Sequence, residues 1–221
     1  MTYSLIAKDP KTNALGLVTA TGNLAVGGFV PHLCPGVGAI ATQGFSTNYW
    51  YGVNGLKQLE NGENAESVVK NLTDADSGRD HRQMLLLDAK GNGAAWTGHA
   101  NAAHHGHIIA PNLVAGGNIL ASDEVIPAMQ SGFERALKNG VSFSRALLCA
   151  LKAAFEAGGD KRGTSSAVIR VVTPNALPLD LRIDDHAQPI AELQRLYDMT
   201  QQNDYQSFFV RLPTPDHPHQ Y

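Results

Sequence analysis

Two hydrophobic periods alternate along this 221-residue chain, and their order limits the fold more than any single motif does. A period of two marks a strand, and a spacing of three and four marks an amphipathic helix. Thr2 to Ala7 has period two, with Tyr3, Leu5 and Ala7 on one face and Thr2, Ser4 and Ile6 on the other. The turn Asp9-Pro10-Lys11-Thr12-Asn13 leads into a second strand, Ala14 to Thr21, which predicts a hairpin. Gly36 to Gln43 reads as a further short strand of small residues. Helices are expected over about 52–60, ended by Asn61-Gly62, and over about 65–72. His81 to Asp88 and Ala94 to Thr97 bracket the turn Lys90-Gly91-Asn92-Gly93, and His107 to Ala110 with Leu113 to Ala115 make a third strand pair.

Two consecutive helices follow. The first takes Ser122 as N-cap, with Asp123 and Glu124 in a first turn that suits the helix dipole. Val125, Ile126, Met129, Phe133 and Leu137 form its apolar stripe, while Pro127 is awkward because it loses one helical hydrogen bond. The second runs from Phe143 to Ala157 and stops at Gly158-Gly159. Thr164 to Val172 and Leu179 to Ile183 are strands, and a closing helix spans Pro189 to about Gln201. There is no internal repeat or linker, so residues 1–205 read as one domain, with 206–221 as a tail that is expected to fray. Strands, helices, strands, a helix pair and strands again suggest two stacked sheets with helices outside, or a single mixed sheet.

A net charge of -3 and the lack of any basic run exclude a nucleic-acid or acidic-membrane partner. No apolar segment approaches the ~18–20 residues needed to span a bilayer. Cys34 and Cys149 are far apart and lack a CxxC spacing, which fits a reducing compartment. The start Met1-Thr2-Tyr3-Ser4 is no secretory signal, so the cytoplasm is expected.

The terminus is the first place chemistry could lie. Thr2 is small enough for Met1 to be removed, which would put a hydroxyl and a free α-amine in one residue. Such an amine, with a pKa of roughly 7.7–8.0, can take the hydroxyl proton near neutral pH.

The region of the helix pair sharpens this reading. Leu113-Val114-Ala115-Gly116-Gly117-Asn118-Ile119 reads as a strand entering a glycine-rich turn, and Gly159-Asp160-Lys161-Arg162-Gly163-Thr164-Ser165-Ser166 opens the strand after the helices. Together they resemble proteasome-type peptidase subunits. That resemblance implies Gly117 and Asn118 at an oxyanion site, and Asp160, Ser165 and Ser166 bonded to the amine and hydroxyl of Thr2. A closer resemblance is to domain-of-unknown-function family 1028, grouped with the N-terminal-nucleophile hydrolases. It is carried by Thr2 to Pro10, Leu24 to Gly27, Gly36 to Gln43, Gly55-Leu56, Arg82-Gln83, Thr97-Gly98, Gly106-His107, Gly117-Asn118, Gly159 to Gly163 and Asp184-Asp185-His186, over about residues 2–200. It implies an α+β fold, a four-layer αββα sandwich of two mostly antiparallel sheets.

Two departures stand out. Proteasome-type enzymes have a lysine on an early strand, where this chain has Val30-Pro31-His32-Leu33-Cys34; Arg82 or His32 would have to serve the amine instead. Relatives often have Cys and Trp after the Thr-Gly pair, where this chain has Asn101 and His104.

The expectation is therefore an amide-bond hydrolase for a small amide or peptide-like substrate, with no cofactor and no metal, assembling as a homodimer or larger homo-oligomer. Thr2 is the nucleophile, Asn118, Asp160, Ser165 and Ser166 complete the catalytic set, and Gln43, Asn48, Arg82, His107 and Gly117 bind substrate. The alternative is a non-catalytic ligand-binding or assembly protein on the same fold. His99, His104, His105 and His107 crowd nine residues, and His105 with His107 could share a metal only with a third ligand that the nearby sequence lacks.

Overall fold

The computed structural model describes residues 2–102 and 104–221, so the expected loss of Met1 concerns a residue outside the described ones. Within them the chain is an α+β protein of ten strands in two antiparallel sheets, with six α-helices. The strands are β1 (Thr2–Lys8), β2 (Leu15–Thr21), β3 (Pro31–Cys34), β4 (Gly38–Gly44), β5 (Arg82–Asp88), β6 (Gly93–Thr97), β7 (Gly106–Ala110), β8 (Leu113–Asn118), β9 (Ser166–Thr173) and β10 (Ala176–Ile183). The helices are α1 (Trp50–Glu60), α2 (Ala65–Asp74), α3 (Val125–Lys138), α4 (Phe143–Glu156), α5 (Pro189–Thr200) and α6 (Asn203–Val210). The larger sheet has the order β10-β9-β2-β1-β8-β7, and the smaller β3-β4-β5-β6.

The alternation in β1 is what positions the site. Tyr3, Leu5 and Ala7 join a cluster with Met129 and Phe133 of α3, Leu147 and Leu151 of α4 and Leu193 of α5. Ile6, on the opposite face, belongs to a second cluster with Leu15, Leu17, Ala39, Ala41, Leu85 and Leu87, drawn from both sheets. The other faces of β4 and β5 supply Ile40, Met84 and Leu86 to a third cluster, under Tyr51 of α1 and Val68 of α2. Each fully buried Leu or Ile contributes roughly 1.5–3 kcal/mol, so both faces of β1 are pinned and its register is fixed.

Several local expectations change. Gly116 and Gly117 are strand residues, not a turn. A Cβ on Gly116 would meet Leu85 Cδ2 at 2.7 Å, so glycine lets the two sheets approach. Helix α3 starts at Val125 rather than after Ser122, which places Pro127 third, among the first four residues whose N–H groups have no intrahelical partner. Ser122 Oγ accepts from Glu124 N at 3.3 Å just ahead of it. In the apolar stripe Ala136 is buried and Leu137 is 42% exposed. The short edge strand β3 and the helix α6 were not signalled by periodicity; no residue of α6 is buried. Among the described residues no helix is long and apolar enough to cross a membrane.

Candidate active site

Register alone assembles the candidate site. Pairing of β1 with β8 and β2, and of β2 with β9, sets Asn118, Thr2, Thr21 and Ser166 in one row across four strands. Residues directly opposite one another share a face. The row two residues further in is Gly116, Ser4, Thr19 and Val168, and the next is Val114, Ile6, Leu17 and Arg170. Because Ile6, Leu17, Val114 and Val168 lie in the cluster between the sheets, all three rows face the smaller sheet. That face is therefore apolar over most of its length and polar at the Thr2 end.

The smaller sheet answers with amides. Gln43 and Gln83 are paired on β4 and β5, and both are fully buried. Gln43 Nε2 donates to Gln83 Oε1 at 2.6 Å and, more weakly, to the carbonyls of Thr2 and Gly116 at 3.4 Å. Ser4 Oγ donates to Gln43 Oε1 at 2.5 Å and lies 2.7 Å from Thr19 Oγ1. Gln83 Nε2 reaches Thr97 Oγ1 at 2.8 Å and the carbonyls of Gly106 and Gly117 at 2.9 and 3.0 Å. Thr97 Oγ1 is 2.9 Å from His107 Nδ1, which brings the chain of bonds to the surface. A buried amide network of this kind is stable only when nearly every member is partnered.

Thr2 itself is 6% exposed, and its Oγ1 donates to Thr21 Oγ1 at 3.4 Å. Asn118, opposite it, donates through Nδ2 to Gln83 Oε1 at 3.2 Å, while its Oδ1 is buried and has no partner among the described residues. Gly117 is one residue short of the Thr2 row, with its carbonyl held by Gln83. The next residue, Ile119, has φ 52°, a left-handed conformation that a β-branched residue adopts only under strain. Flanking bonds hold it there: Leu120 N donates to His104 O at 2.9 Å and Ala121 N to Gly159 O at 3.1 Å. The end of β8, and Asn118 with it, is thereby fixed in place.

The other expected residues fall into separate groups. Asp160, fully buried at its side chain, accepts from Gly22 N at 2.6 Å and Arg162 N at 2.8 Å, and pairs with the Arg162 guanidinium at 3.2 Å. Ser165 Oγ and Ser166 Oγ donate to Asn23 O at 3.1 and 2.6 Å, and Ser166 Oγ accepts from Val26 N at 3.2 Å. These three residues shape the loop after β2 rather than bonding to Thr2 directly. Asn48 and Arg82 meet at Asp76, which accepts from Asn48 Nδ2 at 3.1 Å, Tyr51 Oη at 2.8 Å, Arg82 Nε at 3.2 Å and Gly78 N at 2.7 Å. Burial alone would raise the Asp76 carboxyl, but these four donors outweigh it and hold its pKa at about 2. The Arg82 guanidinium also donates to Ser46 O at 2.7 Å, so neither Asn48 nor Arg82 is directed at Thr2.

His32 lies under α1, where a Cβ on Gly52 would strike its ring at 2.2 Å; burial pushes its imidazole below the ordinary value. Asn101 is fully buried, accepting from Phe45 N at 2.7 Å and donating to the carbonyls of Arg82 and Gly98 at 2.9 and 2.7 Å. It is a staple between loops. The histidines disperse: His99 lies 3.3 Å from Asp80 and His104 3.0 Å from Asp123, while His105 bonds to the Ala102 carbonyl. Among the described residues no three His, Cys, Asp or Glu side chains converge as metal ligands. Surface cavities of 270–360 Å³ lie elsewhere, such as along α2 and β6 and between α4 and α5, and Thr2 lines none of those five.

A family model described as a family of unknown function, DUF1028, matches residues 2–193. A crystal structure of a Silicibacter pomeroyi protein assigned to the same family model is 35% identical, covers 99% of this chain and 98% of its own, and superposes with a TM-score of 0.92. Anbu (ancestral beta-subunit) from Yersinia bercovieri is 13% identical over 96% of this chain and 98% of its own, with a TM-score of 0.40, too distant to carry an argument. No curated protein matches.

Proposed function

The chain belongs to the DUF1028 family, and from that premise we propose that it is an N-terminal-nucleophile hydrolase acting on a small amide or peptide-like substrate. Thr2 is the nucleophile once Met1 is gone. The observation that carries this reading is the row Asn118–Thr2–Thr21–Ser166, which puts residue 2 in the middle of the polar end of the inter-sheet face. The three hydrophobic clusters, helix against sheet, sheet against sheet and sheet against helix, support the four-layer αββα arrangement expected of such a hydrolase. The unpaired thiols Cys34 and Cys149 fit a reducing, cytoplasmic setting.

In the reaction, the α-amine takes the proton from Thr2 Oγ1 as that oxygen bonds to the substrate carbonyl carbon. The C–N bond then breaks, the departing nitrogen receives the proton, and an ester on Thr2 remains. Water attacks the ester, releasing the acid and restoring the hydroxyl. The test uses untagged protein whose mature terminus is established by intact mass. A β-lactone probe should add one acyl group to wild type and none to Thr2→Ala; equal labelling of both removes the reading.

One observation favours a non-catalytic ligand-binding or assembly protein: Thr2 is 6% exposed, and the loop residues Asp160, Ser165 and Ser166 bind Gly22, Asn23 and Val26 instead of Thr2. Under that reading wild type takes no label, although its mass shows Thr2 at the terminus.

A further inference from the structure

We infer that Asn118 serves as a hydrogen-bond acceptor for the α-amine of Thr2, not as a donor to a reacting oxyanion. The inference rests on the reading that residue 2 becomes the terminus.

Amide orientation decides which end of Asn118 faces residue 2. Gln83 has one end near the carbonyl oxygens of Gly106 and Gly117, at 2.9 and 3.0 Å. Carbonyls accept only, so that end must be the NH2 group, and Oε1 faces the other way. Gln83 Oε1 then meets Gln43 at 2.6 Å and Asn118 at 3.2 Å, and both must offer an NH2 group in return. For Asn118 this leaves Oδ1 on its far side. Turning the amide over would set two oxygens against each other in a fully buried place, so two backbone carbonyls on β7 and β8 dictate how a third residue faces the site.

That Oδ1 is buried and has no donor among the described residues. A buried acceptor without a partner costs about 1–3 kcal/mol, so its retention needs a reason. We assign its donor to the adjoining chain. Thr2 is directly opposite Asn118, and such pairs hold their Cβ atoms about 4.5–5.5 Å apart, short enough for the amide oxygen to reach a nitrogen on residue 2. One amine hydrogen directed at Oδ1 orients the amine and leaves its lone pair free for Thr2 Oγ1. Of the titratable groups nearby, Tyr3 is on the other face of β1, Asp160 holds Gly22 next to Thr21 and is paired with Arg162, and His107 is at the outer end of the network.

The experiment follows the Thr2 Cα resonance of 13C-threonine-labelled mature protein through pH, which reads the amine midpoint without any substrate. Asn118→Asp keeps an acceptor and adds charge, and should raise the midpoint by about 1–3 pH units. Asn118→Leu removes the acceptor and should lower it. In wild type labelled with 13C-asparagine as well, the Asn118 side-chain carbonyl carbon should titrate with the same midpoint as Thr2, a measurement that survives if either variant fails to fold. Unmoved midpoints in folded variants, or an Asn118 resonance indifferent to that titration, overturn the inference; a terminus that keeps Met1 overturns it too. A mature wild type that takes no β-lactone while the titrations behave as expected sinks the hydrolase reading alone.

Discussion

Replacing Gln83 by leucine tests the network that holds the two sheets together at the Thr2 end. The leucine side chain has nearly the same volume, so the change removes hydrogen bonds with little loss of packing. Asn118 Nδ2 loses its partner, and the carbonyls of Gly106 and Gly117 lose their side-chain donor. Gln43 Nε2 keeps its two long contacts at 3.4 Å, and Thr97 keeps His107. At about 1–3 kcal/mol for each of these three buried groups left bare, Gln83→Leu should cost roughly 3–9 kcal/mol. In a domain of this size that lowers Tm by at least roughly 6 °C. The assay is paired urea and thermal unfolding, with Gln83→Glu as companion. A buried carboxyl beside two carbonyls has its folded pKa raised, so Gln83→Glu should be least destabilised below the unfolded value of about 4.3 and lose stability as pH rises toward the folded one. If Gln83→Leu melts within about 2 °C of wild type, the amides are not acting as a network and the reasoning fails.

Two further outcomes are expected. Because Asp76 is held at about 2, below the ordinary carboxyl range, its contribution of about 2 kcal/mol is present above pH 4 and is lost as pH falls toward 2; Asp76→Asn should flatten urea midpoints measured across that window. Gly52→Ala gains about 1 kcal/mol of helix propensity but drives a methyl into the His32 ring, so a net loss of about 1–3 kcal/mol is expected in chemical denaturation, and a more stable variant would refute it.

What could be read from the residues beforehand was whatever depends on period and caps. The two faces of β1 follow directly from alternation, and Gly158-Gly159, with φ 113° and 52°, ends α4 where glycine alone is unstrained. The site was legible only in part. Thr2 and Asn118 stand out in the sequence and the register brings them together, but Ser166 is two strands away from Thr2 in the same row, and the bonds of Asp160, Ser165 and Ser166 go to the loop at Gly22 to Val26. Chain order gives no distance between strands. Gln43 reads as pocket lining because it and Asn48 flank Phe45, Tyr49, Trp50 and Tyr51; its burial depends on Gln83 opposite it on β5, a partner 40 residues away. Asp76 escaped notice because nothing in Asp76-Ser77-Gly78 reveals that Asn48, Tyr51 and Arg82 converge there. The α6 helix escaped too, since without a buried stripe it leaves no period to detect.

The uneven inter-sheet face also makes the molecule behave like a book. Ile6, Leu17, Leu85 and Leu87 are the glued spine, while Gln43, Gln83, Ser4 and Asn118 are page edges that water can wet once they part. Fanning the pages at that margin would swap amide contacts for solvent while uncovering little oil. Amide protons there should therefore exchange through small excursions that respond weakly to urea, even while those along the spine wait for the whole volume to come apart.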